Sequence, residues 1–437
     1  MRRSKGLIRG MVGKYVRISI PYGLGRLEVE LPDERVEVLR SRHMPVVKDL
    51  EHEVLTRLEN PISSPPLSRM VSEVSKMLII VPDNTRACPT KEILPPLLKC
   101  TEKANPRVDI EILIATGLHK PVTGEELVEL LGREVIESYF VENHKASEEE
   151  QLTKLPKRTS FNTPIEVNKK VLTSDLVLGV GLIEPHFFAG YSGGRKSLLP
   201  GVAGVNAIFN NHGYKMIASP KARSGVLSGN PVHEDMVEFM EMTKLDFIVN
   251  VMVDERKRVS GVFVGDPIEA HLAGVRELDK YVKVRFREEA DIVITSNGGY
   301  PLDRNIYQAV KGMDTAALVV REGGVIVIAS ECRDGLGGHE HFLRLVRGTA
   351  NPDEVLERIR EMEPIHDQWE AQILARVLKK ARVIVVTDRM SHETLRDLHL
   401  IGAKNHDEAL EIAYNIVGKD VRITCIPEGP YVIPMKH

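Results

Sequence analysis

Cysteine is scarce in this chain: four in 437 residues, at 88, 100, 332 and 425, with no C-x-x-C pair. Such spacing excludes the common zinc modules and a disulfide framework, and it fits a reducing compartment. Aromatic residues make up only 5%, too few for a nucleic-acid surface of interleaved bases and rings. A formal net charge of -3 gives no global drive toward nucleic acid or membrane. No uninterrupted apolar run approaches the roughly 18 residues of a transmembrane helix. The basic opening, MRRSKGLIRGMVGKY, lacks the apolar core of roughly 7–15 residues that a secretory leader needs. The expectation is a cytoplasmic protein with neither nucleic-acid nor membrane partners. Internal repeats and low-complexity tracts are also missing.

What remains is a rhythm. Short runs rich in Val and Ile fall at residues 77–81, 108–115, 175–180, 246–253, 291–295, 324–330 and 381–386, and read as buried strands. Helical patterns lie between them, at 91–104, 124–131 and 351–361. Thr90 is placed as an N-cap for the first, and Thr123 with Glu126 as a capping box for the second. Pro95 and Pro96 weigh against the first turns of the 91–104 helix. This alternation predicts an α/β fold with mainly parallel sheets covered by helices. Residues 14–20 and 26–31 read as a hairpin pair, and 60–67 (NPISSPPL) as a loop. The rhythm breaks near 279–289, so the expected domains are 1–282 and 283–437, with the last residues free to return to the first.

Ligands of open parallel sheets bind beyond the carboxyl ends of the strands. Four segments carry reactive side chains there: 81–90 (VPDNTRACPT), 115–123 (ATGLHKPVT), 179–200 (GVGLIEPHFFAGYSGGRKSLLP) and 297–311 (NGGYPLDRNIYQAVK). In the third, Gly190, Gly193 and Gly194 allow close backbone approach and an anion nest. It is not a P-loop, since Arg195 stands where that motif needs glycine. Nor is it a dinucleotide fingerprint, since Glu184 replaces its third small residue. His186, Arg195 and Lys196 fall within eleven residues, and His212 sixteen after the lysine.

Each residue also has an ordinary reading. His119 suits a cap or solvated loop, and His144, in VENHKASEEE, an exposed one. Asp83 and Arg86 suit a turn ion pair, Arg195 and Lys196 a solvated basic pair, and His212 the neighbour of an N-cap. Their convergence after strand ends favours a site.

The segments 83–86 (DNTR), 115–126, 184–201 (EPHFFAGYSGGRKSLLPG), 211–212 (NH), 229–235 (GNPVHED) and 297–312 resemble the nickel-pincer-nucleotide lactate racemases, over roughly residues 10 to 430. The ten-then-sixteen spacing of His186, Lys196 and His212 is specific. The resemblance implies a fold of two α/β domains with the active site in the cleft between them. It implies a 2-hydroxyacid racemase or epimerase working by reversible hydride transfer. Lys196 would carry the cofactor, a pyridinium-3,5-bisthiocarboxylic acid mononucleotide holding nickel, and His212 would be the protein ligand to nickel. His119 and His186 would be the acid–base pair. Asp83, Thr85, Arg86, Gly193 and Gly194 would line the cofactor, with Arg86 also reaching substrate. Tyr307, Gln308, Lys311 and Trp369 would contact the 2-hydroxy acid. Cofactor-synthesis proteins would be partners in maturation. One departure stands out: family members usually have proline after the DxTR arginine, and here Ala87 and Cys88 precede Pro89.

That chemistry explains the residue types. The C2–H proton of a 2-hydroxy carboxylate is poorly acidic, whereas hydride removal gives a planar 2-keto acid open on both faces, with a cofactor as acceptor. Neutral imidazoles, near pKa 6.5 when unperturbed, suit the hydroxyl proton. Nickel(II) accepts the square-planar geometry of a pincer plus one imidazole, and Arg86 or Lys311 can hold the carboxylate. Two alternatives are an NAD-type oxidoreductase, whose full glycine fingerprint and acidic residue are missing, and a non-catalytic metal- or nucleotide-binding relative.

Overall fold

A computed structural model describes residues 15–32 and 35–437; residues 1–14 of the basic opening considered above lie outside the described residues. The chain divides into two compact units, passing between them at 40/41, 283/284, 357/358 and 372/373. Residues 41–283 and 358–372 make one unit, and residues 15–40 join 284–357 and 373–437 in the other.

The first unit is built on a six-stranded sheet in the order Val259–Gly265, Phe247–Val253, Leu176–Leu182, Lys76–Pro82, Asp109–Ala115, Phe140–Asn143. Every pair is parallel except the first. The central strands are apolar almost without interruption, and all seven residues of Leu176–Leu182 are buried. Alternation is lost because both faces of the sheet are covered. Helices Leu50–Glu59 and Thr90–Ala104 supply Val54, Leu58, Ile93, Leu94 and Leu97 to one core with Ile79, Ile112 and Leu178. The second helix contains Pro95 and Pro96 in its length and starts at Thr90, with Pro89 rather than Thr90 as its cap. Thr123 does precede helix Gly124–Leu131, but its side chain makes no capping bond.

The second unit holds a wholly parallel sheet, ordered Ile401–Ala403, Ala381–Val386, Val320–Ala329, Ala290–Ser296, Ile423–Ile426, Val36–Val38. Strands Tyr15–Tyr22 and Gly25–Pro32 form the expected hairpin. The alternate residues Ile18, Ile20, Val29 and Leu31 are buried against Ile292, Ile294, Val325 and Val327 of that sheet, as the period of two requires. The fold is therefore α/β, with mainly parallel sheets.

Candidate active site

Three loops leave the carboxyl ends of adjacent parallel strands in the first unit, those ending at Pro82, Ala115 and Leu182. Asp83 follows the first and is 3% exposed. Its Oδ1 accepts the Thr85 amide at 3.1 Å and the Thr85 hydroxyl at 2.6 Å, which fixes the DNTR turn as an Asx-type turn. Its Oδ2 lies 2.6 Å from Nδ1 of His119, in the second loop. Pro82 and Ala115 are register partners, so parallel pairing brings together two residues 36 positions apart. Burial alone would raise the Asp83 carboxyl, but His119, Arg86 and the Thr85 hydroxyl outweigh it and hold it below the usual carboxylate range. Arg86 thus acts on Asp83 through its field.

His119 itself is half exposed. Its loop is held by the His119 amide on Thr116 O and the Gly117 amide on Gly201 O. His144 is 1% exposed, correcting the surface position expected from its charged neighbours. Its ring meets Ala203 O at 3.0 Å and Asn168 Nδ2 at 3.2 Å, and burial holds it down at about 4.

The third loop is rigid for a different reason. Arg195, whose ordinary reading is half of a solvated basic pair, is buried at 2% exposure. Its Nη2 donates to Ala189 O (3.0 Å) and Tyr191 O (2.7 Å), and its Nη1 to Gly193 O (3.2 Å) while meeting His271 Nε2 at 2.8 Å. The guanidinium therefore ties the loop's carbonyls into a knot. Gly193 has φ +83°, and a Cβ there would lie 2.7 Å from Asn250 Oδ1; at Gly194, φ +54°, it would press on the His271 ring at 3.1 Å. The Gly194 amide already donates to Asn250. The need for glycine at both positions thus comes from the protein's own packing.

This knot leads into the short helical turn Gly194–Ser197 and so fixes the backbone of Lys196. The Lys196 ammonium stands 5.9 Å from the Phe188 ring centroid. Phe188 is the hub of an aromatic cluster, edge-on to His186 at 4.6 Å and to His212 at 5.0 Å, and His212 in turn meets Trp369 at 5.4 Å. His186 is 7% exposed, and its Nδ1 accepts the Ala189 amide at 3.2 Å.

His212 caps the C-terminus of helix Val205–Asn211. The residue before it is anchored: Asn211 Nδ2 donates to Asp235 Oδ2 (2.7 Å) and Val232 O. Asp235 is fully buried and also accepts from Thr159 and Thr163. These bonds account for the GNPVHED segment as a brace. Burial, and then the charges of Lys196 and Arg86, push the His212 imidazole well below its ordinary value, leaving it neutral. Its Nδ1 is buried without a hydrogen-bond partner.

Among the described residues no group of three or more His, Cys, Asp or Glu side chains could hold a metal alone. The resemblance implies a metal held by His212 together with a bound cofactor. The neutral imidazole, with one ring nitrogen unsatisfied beside a lysine, fits that arrangement.

Asp83, Thr85, Arg86, His119, His186, Lys196, His212 and Trp369 therefore belong to one neighbourhood of the first unit. Tyr307, Gln308 and Lys311 lie in the second unit, on helix Ile306–Ala317, whose N-cap Asn305 accepts the Gln308 amide at 2.9 Å. Tyr307 is stacked on His339 at 3.6 Å. Sequence reasoning missed the His119–Asp83 pair, the Arg195 knot and the Asn250 and His271 contacts. Only the first had a signal, in two loops leaving neighbouring strands. Burial pushes the Cys88 thiol up to about 12, so it stays protonated and is a poor nucleophile.

Known proteins resemble this chain over nearly its whole length. The lactate racemase N-terminal domain matches residues 22–225, and the lactate racemase C-terminal domain residues 286–434. A lactate racemase of Thermoanaerobacterium thermosaccharolyticum is 42% identical over 422 residues, covering 95% of this chain and 98% of that protein. One from Lactiplantibacillus plantarum is 38% identical over 429 residues, covering 96% and 99%. The solved lactate racemase apoprotein of T. thermosaccharolyticum superposes with a TM-score of 0.92 at 41% identity, over 96% of this chain and 100% of that one. A Thermotoga maritima protein shares the fold alone, with a TM-score of 0.69 at 18% identity over 89% of this chain and 98% of its own. The chain belongs to the lactate racemase family and is an enzyme of the isomerase class.

Proposed function

We propose that this protein inverts C2 of a small 2-hydroxy acid, lactate or a close relative, by reversible hydride transfer. The observation that supports this most is His212: a neutral buried imidazole with an unpartnered nitrogen, sharing the Phe188 ring with Lys196. Lys196 would hold a nickel-pincer nucleotide covalently and His212 would complete the metal's coordination, with Asp83, Thr85, Arg86, Gly193 and Gly194 around it. When bound, that group supplies reversible acceptance of hydride from C2.

The remaining work falls to this chain. His119 takes or returns the hydroxyl proton of one enantiomer, and Asp83, 2.6 Å from its Nδ1, orients the ring and offsets the charge that forms. His186 does the same for the other enantiomer, its ring held by Phe187 and Phe188. Arg86 and Lys311 are assigned to the substrate carboxylate, with Tyr307, Gln308 and Trp369 around the remainder. Cofactor-synthesis proteins are needed for maturation, and the absence of any described helix long and apolar enough to cross a membrane accords with a cytoplasmic setting.

The test is to present C2-deuterated 2-hydroxy acids, including lactate, to matured protein in ordinary water. Inverted product that keeps most of its deuterium, with a trace of 2-keto acid, is expected. Inversion with complete loss of label and no keto acid would falsify the hydride route and make the two histidines bases at carbon.

A further inference from the structure

The two histidines assigned to proton transfer are held by opposite kinds of neighbour. His119 presents Nδ1 to a carboxylate oxygen at 2.6 Å, and that carboxylate is kept ionised by its surroundings. An ionised carboxylate only accepts hydrogen bonds, so Nδ1 must carry the proton, and in the neutral ring Nε2 keeps its lone pair. His186 presents Nδ1 to a backbone amide, the N–H of Ala189 at 3.2 Å. A backbone amide only donates, so there Nδ1 must hold the lone pair and Nε2 the proton.

We infer that the pair rests in opposed tautomers, His119 as a ready acceptor at Nε2 and His186 as a ready donor at Nε2. The inference rests on the racemase reading, and adds that the two substrate faces are chemically unlike. A hydroxyl facing His119 donates its hydrogen bond and can pass its proton directly to Nε2, the positive charge being shared with Asp83. A hydroxyl facing His186 instead accepts a hydrogen bond from Nε2–H. To take a proton at Nε2, that ring must first move its own proton to Nδ1, turning it toward the Ala189 N–H. Water relays that exchange: the Nε2 proton passes to water, water returns one to Nδ1, and the ring stays neutral throughout.

Asp83 is thereby a positioning residue for His119, acting through the ring rather than on substrate. The opposition is built in by the fold: one ring is backed by the turn after Pro82, the other by its own loop three residues on.

The experiment is long-range nitrogen–proton NMR on the full-length protein without cofactor, labelled at histidine, at a pH well above the ordinary histidine range. His119→Gln and His186→Gln variants assign the two spin systems. His119 should show a protonated Nδ1 and bare Nε2, and His186 the reverse. Asp83→Asn should return His119 toward the Nε2–H form that unconstrained histidine favours, and leave His186 unchanged. Matching tautomers at the two rings in the wild type overturn the inference, as does an unmoved His119 in a folded Asp83→Asn protein. The racemisation assay on matured protein is separate. Inversion by a protein with matching tautomers leaves the proposed function standing and removes this inference alone.

Discussion

The loop after Ala115 and the loop after Leu182 each carry a histidine proposed for acid–base work, His119 and His186, yet they are built on different physics. The first is open: His119 is half exposed and is steadied by one carboxylate and two backbone bonds. The second is closed upon itself: a buried guanidinium gathers three carbonyls of its own loop, and two glycines clear space for Asn250 and His271. The open loop suits a group that must meet a changing substrate. The closed loop suits a group that must not move, and Lys196 follows directly from the knot. The contrast separates a tunable position from a fixed one.

The largest effect should come from the fixed side. Lys196→Ala should remove all covalent adduct from protein made alongside the cofactor-synthesis machinery, and with it inversion. Intact-mass spectra of wild type and variant decide this; a variant that still gains the adduct mass would place the attachment elsewhere. Next, Arg195→Met should strand the carbonyls of Gly193, Ala189 and Tyr191 and cost about 3–9 kcal/mol of unfolding free energy, since each unsatisfied buried group costs about 1–3 kcal/mol. Denaturant titration checks it, and an unshifted midpoint would show that the knot is ornamental.

Acid should weaken the first unit as well. His144 at about 4 and His233 at about 3 are both held down by burial, His233 also by Arg195. The unfolded chain takes up protons at these rings below about pH 6.5, and the folded one does so only near the lowered values. Each ring therefore removes about 1.4 kcal/mol per pH unit as pH falls from about 6.5 toward 4. His406 of the second unit, at about 4, adds to the loss. Unfolding midpoints at a series of pH values should fall through this window, and a flat profile would contradict the buried neutral rings. The smallest effect on stability belongs to the open loop: His119→Gln should cost only about 1 kcal/mol, because the glutamine amide can still donate to the buried Asp83 carboxylate, while abolishing most inversion. A large loss of stability there would erase the contrast between the two loops.

The strands were legible wherever burial on both faces forces a continuous apolar run, as in DIEILIA or LVLGVGL. They were illegible where three or four residues suffice. Val36–Val38, Ile401–Ala403 and Ile423–Ile426 are too short to show a period, and their place in the sheet is set by long-range pairing. The site residues His186, Lys196 and His212 stood out by spacing. Their supports did not, because support is a matter of three-dimensional neighbours. Asp83 and His119 meet through parallel pairing of Lys76–Pro82 with Asp109–Ala115. His144 read as exposed because the acidic run after it dominates any composition window, although its own ring is turned inward to Ala203 and Asn168. Arg195 read as solvated because an adjacent lysine normally marks a wet surface. Burial of the guanidinium becomes affordable only when a loop curls its carbonyls around it.

The strand Val36–Val38 pairs with Ile423–Ile426, so Val36 and its partner Ile423 are separated by 387 positions. On the ribosome, Val36–Val38 emerges long before the strand it pairs with. The hairpin Tyr15–Tyr22 and Gly25–Pro32 is in the same position, because the sheet that covers Ile18, Ile20, Val29 and Leu31 is encoded from Ala290 onward. Residues 41–283 can organise their sheet while synthesis continues, but the second unit can close only after Ile423–Ile426 has left the tunnel. Its apolar hairpin face stays uncovered for most of translation. A nascent chain stalled before residue 420 should therefore expose that face and be the form most in need of a chaperone.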